Sequence, residues 1–122
     1  MKRLPVLLLT TACCFAACMK DGTWTKACQL STGLHTAPGD AKIMYEITGT
    51  GSVFVNHAIY YDAGNPIKVD KPTLPFVLTL PVQAADTIGL QVEGRAMEGR
   101  LQIRHRFIMG TDTVTTTDAC AG

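Results

Sequence analysis

From residue 43 onward, apolar and polar side chains alternate with a period of two, and turn-forming residues interrupt the alternation at short intervals. Ile43, Tyr45 and Ile47 fall on one side of a strand, Met44, Glu46 and Thr48 on the other. Gly49-Thr50-Gly51 then predicts a turn, and residues 53–61 a second strand. Asp62-Ala63-Gly64-Asn65-Pro66 predicts the next reversal, followed by a short strand at 67–69. Phe76, Leu78 and Leu80 alternate with Val77 and Thr79, and Ile88, Leu90 and Val92 alternate with Gly89 and Gln91. Gly94 and Gly99 bracket a further reversal before Leu101, Ile103, His105 and Phe107, and a threonine-rich strand closes the pattern at about 113–120. Period-two alternation bounded by Gly, Pro, Asn and Asp is the pattern of half-buried antiparallel strands, and no stretch shows a 3.6-residue apolar period.

About seven short strands in some 80 residues, joined by hairpin-length links, predict an all-β fold. The arrangement expected is an immunoglobulin-like antiparallel β-sandwich spanning residues 41–122, with a small closed barrel as the alternative. Pro72, Pro75 and Pro81 flank strands rather than interrupt them, which suits edges and turns because proline has no N–H to give a ladder.

The first 17 residues follow a different rule. Met1-Lys2-Arg3 is basic, an apolar run begins at Leu4, and Phe15-Ala16-Ala17-Cys18 ends it. This is the layout of a lipoprotein signal peptide, with Cys18 as the first mature residue, carrying diacylglyceryl on its thiol and an acyl chain such as palmitate on its amine. An ordinary secretory signal is the competing reading, and Cys13 and Cys14 are competing lipidation positions that fit the motif less well. A membrane helix is excluded by length, since the run is broken by Pro5, Thr10 and Thr11 and falls short of the roughly 20 apolar residues a bilayer needs. Residues 18–40, rich in Gly, Thr, Ser, Lys and Asp, read as a lipidated tether whose second half lies against the domain if Cys28 is bridged.

Removing the signal takes Lys2 and Arg3 and leaves nine basic against ten acidic residues. That balance gives no support to a nucleic-acid partner. It leaves Cys18, Cys28 and Cys120 of the five cysteines, and lipidation consumes the first. An even pair in an exported chain predicts a disulfide between Cys28 and Cys120, closing a loop of about 90 residues.

Particular stretches within residues 41–121 then resemble a known family. They are Tyr45-Glu46-Ile47-Thr48-Gly49-Thr50-Gly51, a strand ending in Tyr60-Tyr61, Leu74-Pro75-Phe76, the strand after Gly99, and Gly110-Thr111-Asp112-Thr113. Together they are similar to the small mycobacterial membrane protein (MmpS) family and to related domains in exported lipoproteins of other bacteria, including the Bacteroidetes. Phe76 stands where the family carries Trp, and the lipobox stands where mycobacterial members carry a transmembrane helix. The resemblance implies a β-sandwich that serves as an accessory subunit of a large lipid- or drug-exporting transporter. Cys18-Met19-Lys20-Asp21 is also similar to the signal that sends some Bacteroidetes lipoproteins to the cell surface. The expected location is therefore the outer membrane, on either leaflet.

Two groups of side chains carry candidate chemistry. Arg100, Gln102, Arg104 and Arg106 share one side of a strand by strict alternation, and guanidinium groups so placed can grip phosphate or carboxylate, or pair across strands with Glu46, Asp62 or Glu93. His57 and His105 each lie in phase with apolar neighbours, Val55 and Ile59 for the first, Ile103 and Phe107 for the second. Two inward histidines suggest part of a metal site, whereas the alternative is a satisfied histidine at the edge of the core. No nucleophile elbow, phosphate loop, dinucleotide fingerprint or metal-ligand spacing accompanies them, so neither a cofactor nor a metal is expected. The reading is a lipid-anchored, non-enzymatic binding or accessory module of a bacterial envelope; its rival is a small metal-binding protein or enzyme using His57 and His105.

Overall fold

The computed structural model describes residues 26–122. Eight strands follow one another: β1 (Lys26–Ser31), β2 (His35–Thr36), β3 (Ala41–Asp62), β4 (Asn65–Asp70), β5 (Phe76–Val82), β6 (Thr87–Ile88), β7 (Leu90–Met109) and β8 (Asp112–Ala121). The fold is all-β and antiparallel, as the alternation predicts. Its organisation differs from seven short strands, because β3 and β7 are 22 and 20 residues long and pair with each other from Lys42↔Ile108 to Tyr60↔Leu90.

The ribbon of β3 and β7 carries β1, β4, β5 and β8, while β2 and β6 pair only with each other. Along the free edge of β3, β5 pairs with residues 41–47 and β4 with residues 57–62. Along the free edge of β7, β1 pairs with residues 91–96 and β8 with residues 100–109. Each end of the ribbon is thus a four-stranded half-sheet, β5-β3-β7-β8 at one end and β4-β3-β7-β1 at the other. The halves fold onto each other. Tyr45 Oη donates to the Tyr61 carbonyl at 2.9 Å, although the residues are 16 apart and an unbent strand would hold them roughly 50 Å apart. The layers of the sandwich are therefore the two ends of one sheet, not the two separate sheets of an immunoglobulin-like domain.

The bend falls at the glycines expected to end strands. Gly49-Thr50-Gly51 is not a hairpin turn, and Gly94 and Gly99 do not bracket a reversal; both segments lie inside continuous strands. Gly51 faces Gly99 across the ladder, and a Cβ on either would run into the other strand's backbone, at the carbonyls of Glu98 and Thr50 respectively. Two glycines allow the approach that a sharp bend demands. True two-residue hairpins occur at Ala63-Gly64, where both φ angles are positive, and at Gly110-Thr111, where Gly110 alone is. These match the primed turns that suit strand twist.

Beside the bend, the register slips twice. Ser52 pairs with Glu98 but Val53 with Ala96, leaving Met97 extra; Val55 pairs with Gly94 but His57 with Glu93, leaving Asn56 extra. Each extra residue moves all later side chains to the opposite face of its strand. The buried positions of β7 accordingly change from even numbers, Leu90 to Ala96, to odd numbers, Leu101 to Phe107. In β3 they change from Ile43, Tyr45, Ile47 and Val55 to Ala58.

The core between the halves gathers Ile43, Tyr45, Ile47, Leu90, Leu101 and Ile103, all fully buried, with Cys28 and Leu30 from β1. The folded unit therefore begins no later than Lys26, and residues 26–40 are not the second half of a tether but two strands and the loop joining them to β3. Cys28 and Cys120 meet with their sulfurs at 2.06 Å, joining β1 to β8 across the bend. Ser31 N–H, donating to the Asp118 carboxylate at 3.1 Å, ties the same two strands.

Candidate functional site

Alternation on the straight part of the ribbon turns Arg100, Gln102, Arg104 and Arg106 away from the core onto one outer face, as the sequence predicts. Neighbouring strands complete that face. β3 adds Lys42, Met44, Glu46 and Thr48; β8 adds Thr113, Thr115 and Thr117; β5 adds Val77 and Thr79. Four cations stand there against one acid. Arg104 and Glu46 form an ion pair between directly opposed positions, and both side chains are partly covered by their neighbours. Asp62 and Glu93, the other acids considered as partners, lie at the opposite end of the ribbon. Among the described residues, no acid pairs with Arg100, Arg106 or Lys42. The face can thus accept carboxylate or phosphate on guanidinium forks already held in a row at strand spacing.

The second outer face, on the β4-β3-β7-β1 half, is different in kind. It presents Gln29, Ser31, His57, Ile59, Gln91 and Glu93 around a shallow depression of about 330 Å³. Its acids each stand beside a basic side chain: His57 Nε2 lies 3.8 Å from Glu93, and Lys68 Nζ lies 3.9 Å from Asp70. Glu93 faces His57, and Glu98 lies beside the bulge at Met97.

The two histidines do not come together. His57 follows the bulge at Asn56, which breaks its phase with Val55, and it points outward with Ile59. His105 keeps its phase and is 2 % exposed. Its Nδ1 lies 2.7 Å from Thr32 Oγ1, and its ring meets His35 and Tyr45 edge-on at 5.4 and 6.5 Å. Thr32 Oγ1 also accepts from the Leu90 N–H at 3.0 Å, while His35 Nε2 donates to the Thr32 carbonyl at 3.0 Å. Tyr45 Oη, besides donating to Tyr61, accepts from the Gly89 N–H at 3.4 Å. These bonds fasten the β1–β2 loop to the inside of the sandwich. Burial, and after it the neighbouring His35, lowers the His105 pKa to about 4. Burial raises that of Tyr45 against the opposing pull of its two backbone bonds. Both side chains are therefore neutral at ordinary pH, a bonding role rather than proton exchange with solvent.

No group of three or more His, Cys, Asp or Glu among the described residues is placed to hold a metal ion. Cys18 and the lipobox lie outside the described residues. Nothing in the sequence points to Thr32 and His35, because residues 18–40 lack periodicity; Trp24 and Cys28 are the signals there, and the pairing of Cys28 fastens the segment to the domain. Lys42 and the threonine ladder of β8 belong to the arginine face only through strand pairing, which no local pattern records. Comparisons with protein-family models, curated proteins and solved structures find no match for this chain.

Proposed function

We propose that this protein is a lipid-anchored, non-enzymatic module of a bacterial cell envelope that docks its arginine face on an acidic patch of a membrane-protein partner. The observation that carries the reading is the charge imbalance of one outer face: Arg100, Arg104, Arg106 and Lys42 against Glu46 alone, with that acid already taken by Arg104. Such a face attracts an acidic surface and fixes its register, while the anchor supplies the local concentration that a weak interface lacks. The lipobox motif Phe15-Ala16-Ala17-Cys18 supports the anchor, and the resemblance to the MmpS domain points to a transport complex as the partner's setting.

A photo-crosslinking residue at Gln102 of the full-length chain, irradiated in native envelope, tests this. A specific membrane protein should be captured, and Arg106→Glu should abolish the capture while Lys68→Glu on the second face leaves it intact. Capture of nothing beyond what Lys68-labelled protein captures would sink the reading.

A further inference from the structure

The bend edge exposes side chains that neither the core nor the arginine face uses. Phe54 is 51 % exposed and Met97 43 %, and both line a shallow depression of about 170 Å³ with Ser52, Val53 and Arg95. On the other side of Phe54, Lys71, Pro72 and Leu74 line a second depression. Met97 is the extra residue of one bulge, and Asn56, two positions beyond Phe54, is that of the other. Bulges re-aim side chains and recur next to functional surfaces. Lys26 pairs with Ala96, beside Met97, so the chain reaches the domain at this same edge. Arg95 lies opposite Phe54, and Arg100 lies just past the bend; Glu98 is the one acid between them on β7. The other exposed large apolar side chains among the described residues, Leu34, Ile67, Val77, Met109 and Val114, are scattered over the β1–β2 loop, β4, β5, the far end of β7 and β8.

Cys18 is eight residues before Lys26, so the domain sits no further than roughly 28 Å along the chain from a lipid on that cysteine. An exposed aromatic and a thioether among basic side chains match the chemistry of a membrane interface, where apolar groups enter the acyl boundary and cations meet anionic headgroups. We propose that the bend edge rests on the bilayer that holds the anchor, with Phe54 and Met97 in the interfacial layer and Lys26, Lys71 and Arg95 against anionic headgroups. This docking rests on the reading that Cys18 is lipidated. It leaves the arginine face, which begins at Arg100 and continues along β7, running up from the membrane toward a partner.

The test uses the full-length chain matured in a bacterial envelope, with its single tryptophan moved by Trp24→Phe and Phe54→Trp. After intact-mass analysis, the protein is placed in vesicles of phosphatidylethanolamine with a minor share of phosphatidylglycerol, with and without brominated acyl chains. An acylated protein whose tryptophan emission shifts to the blue and is quenched by the brominated lipid supports the docking. A Val114→Trp counterpart on β8 should be neither shifted nor quenched. An acylated, vesicle-bound protein with Phe54→Trp unquenched overturns the docking and leaves the anchor standing. An unacylated product overturns the lipoprotein reading and the docking with it.

Discussion

The two ends of the β3–β7 ribbon share the same strands yet obey different phases. At the end formed by residues 41–47 and 100–109, odd-numbered side chains go to the core and even-numbered ones to solvent. At the other end, even-numbered β7 side chains are buried, and β3 changes phase at Asn56. The consequence is clearest in the histidines: His105 is enclosed, whereas His57, with equally apolar neighbours in sequence, stands at the surface. Alternation therefore specifies which residues share a face only between bulges, and each bulge starts a new count.

Removing a bulge should break this arrangement most severely. Deletion of Met97 would force one half to turn its apolar set outward or abandon its pairing with β3. The expected outcome is loss of the cooperative unfolding transition and of near-ultraviolet circular dichroism. A Met97→Ser variant, which keeps the extra residue and removes only an exposed side chain, should fold with its stability changed by no more than about 0.5 kcal/mol. If the deletion folds as well as the substitution, the phase change is not what holds the halves in register.

The disulfide comes next, because it staples β1 of one half to β8 of the other. Cys28→Ala with Cys120→Ala should lower the unfolding free energy by about 4 kcal/mol in the chain-entropy model, read by urea denaturation. Reducing agent should act on the parent to the same extent and leave the double variant unchanged.

Much of this was open to reading in the sequence, and the part that was not has a physical reason. The inward rows Ile43-Tyr45-Ile47 and Leu101-Ile103-His105-Phe107 follow from alternation alone, as does the outward row of arginines. The cysteine pair follows from parity once the chain is read as exported. Turns at Gly49-Thr50-Gly51 and between Gly94 and Gly99 were wrong because glycine serves two purposes. It permits the positive φ of a hairpin, as at Gly64 and Gly110, and it permits two backbones to approach, as at Gly51 and Gly99. A single strand's sequence does not say which purpose applies. Only when Gly51 and Gly99 are seen to be partners does the bend become the simpler account. The bulges are hidden for a related reason, since an extra residue is defined by the partner strand it fails to match.

The histidines offer the next sharpest contrast. His105→Ala should cost about 3 kcal/mol, because it opens a cavity beside Tyr45 and His35 and removes the hydrogen bond to Thr32 Oγ1; His57→Ala should cost no more than about 0.5 kcal/mol. pH provides a second measurement on the buried ring. An unfolded histidine takes up its proton near pH 6.5, whereas His105 in the fold resists down to about 4. Between those values the unfolded chain binds more protons, so stability should fall as pH drops from about 6.5 toward 4, by about 3 kcal/mol. Above that window this contribution is flat. His105→Gln should flatten the acid limb of a stability-versus-pH curve, and an unchanged limb would assign the acid sensitivity to another group.

The two outer faces differ least in stability and most in what they attract. Arg100→Gln with Arg106→Gln, on one face, and Lys68→Gln, on the other, should each shift the unfolding free energy by no more than about 0.5 kcal/mol, since the side chains are at or near the surface. Their effects on binding should separate. The first face carries four cations and one acid, so losing two cations removes most of its field. On the second, Lys68 is matched by Asp70, and losing it uncovers that single carboxylate. Capture of the envelope partner through Gln102 should therefore fall several-fold in the arginine variant and weaken further with added salt, while the lysine variant captures as the parent does. Equal losses from both faces would mean that the partner responds to the net charge of the whole domain, and the arrangement of arginines along β7 would then carry no recognition.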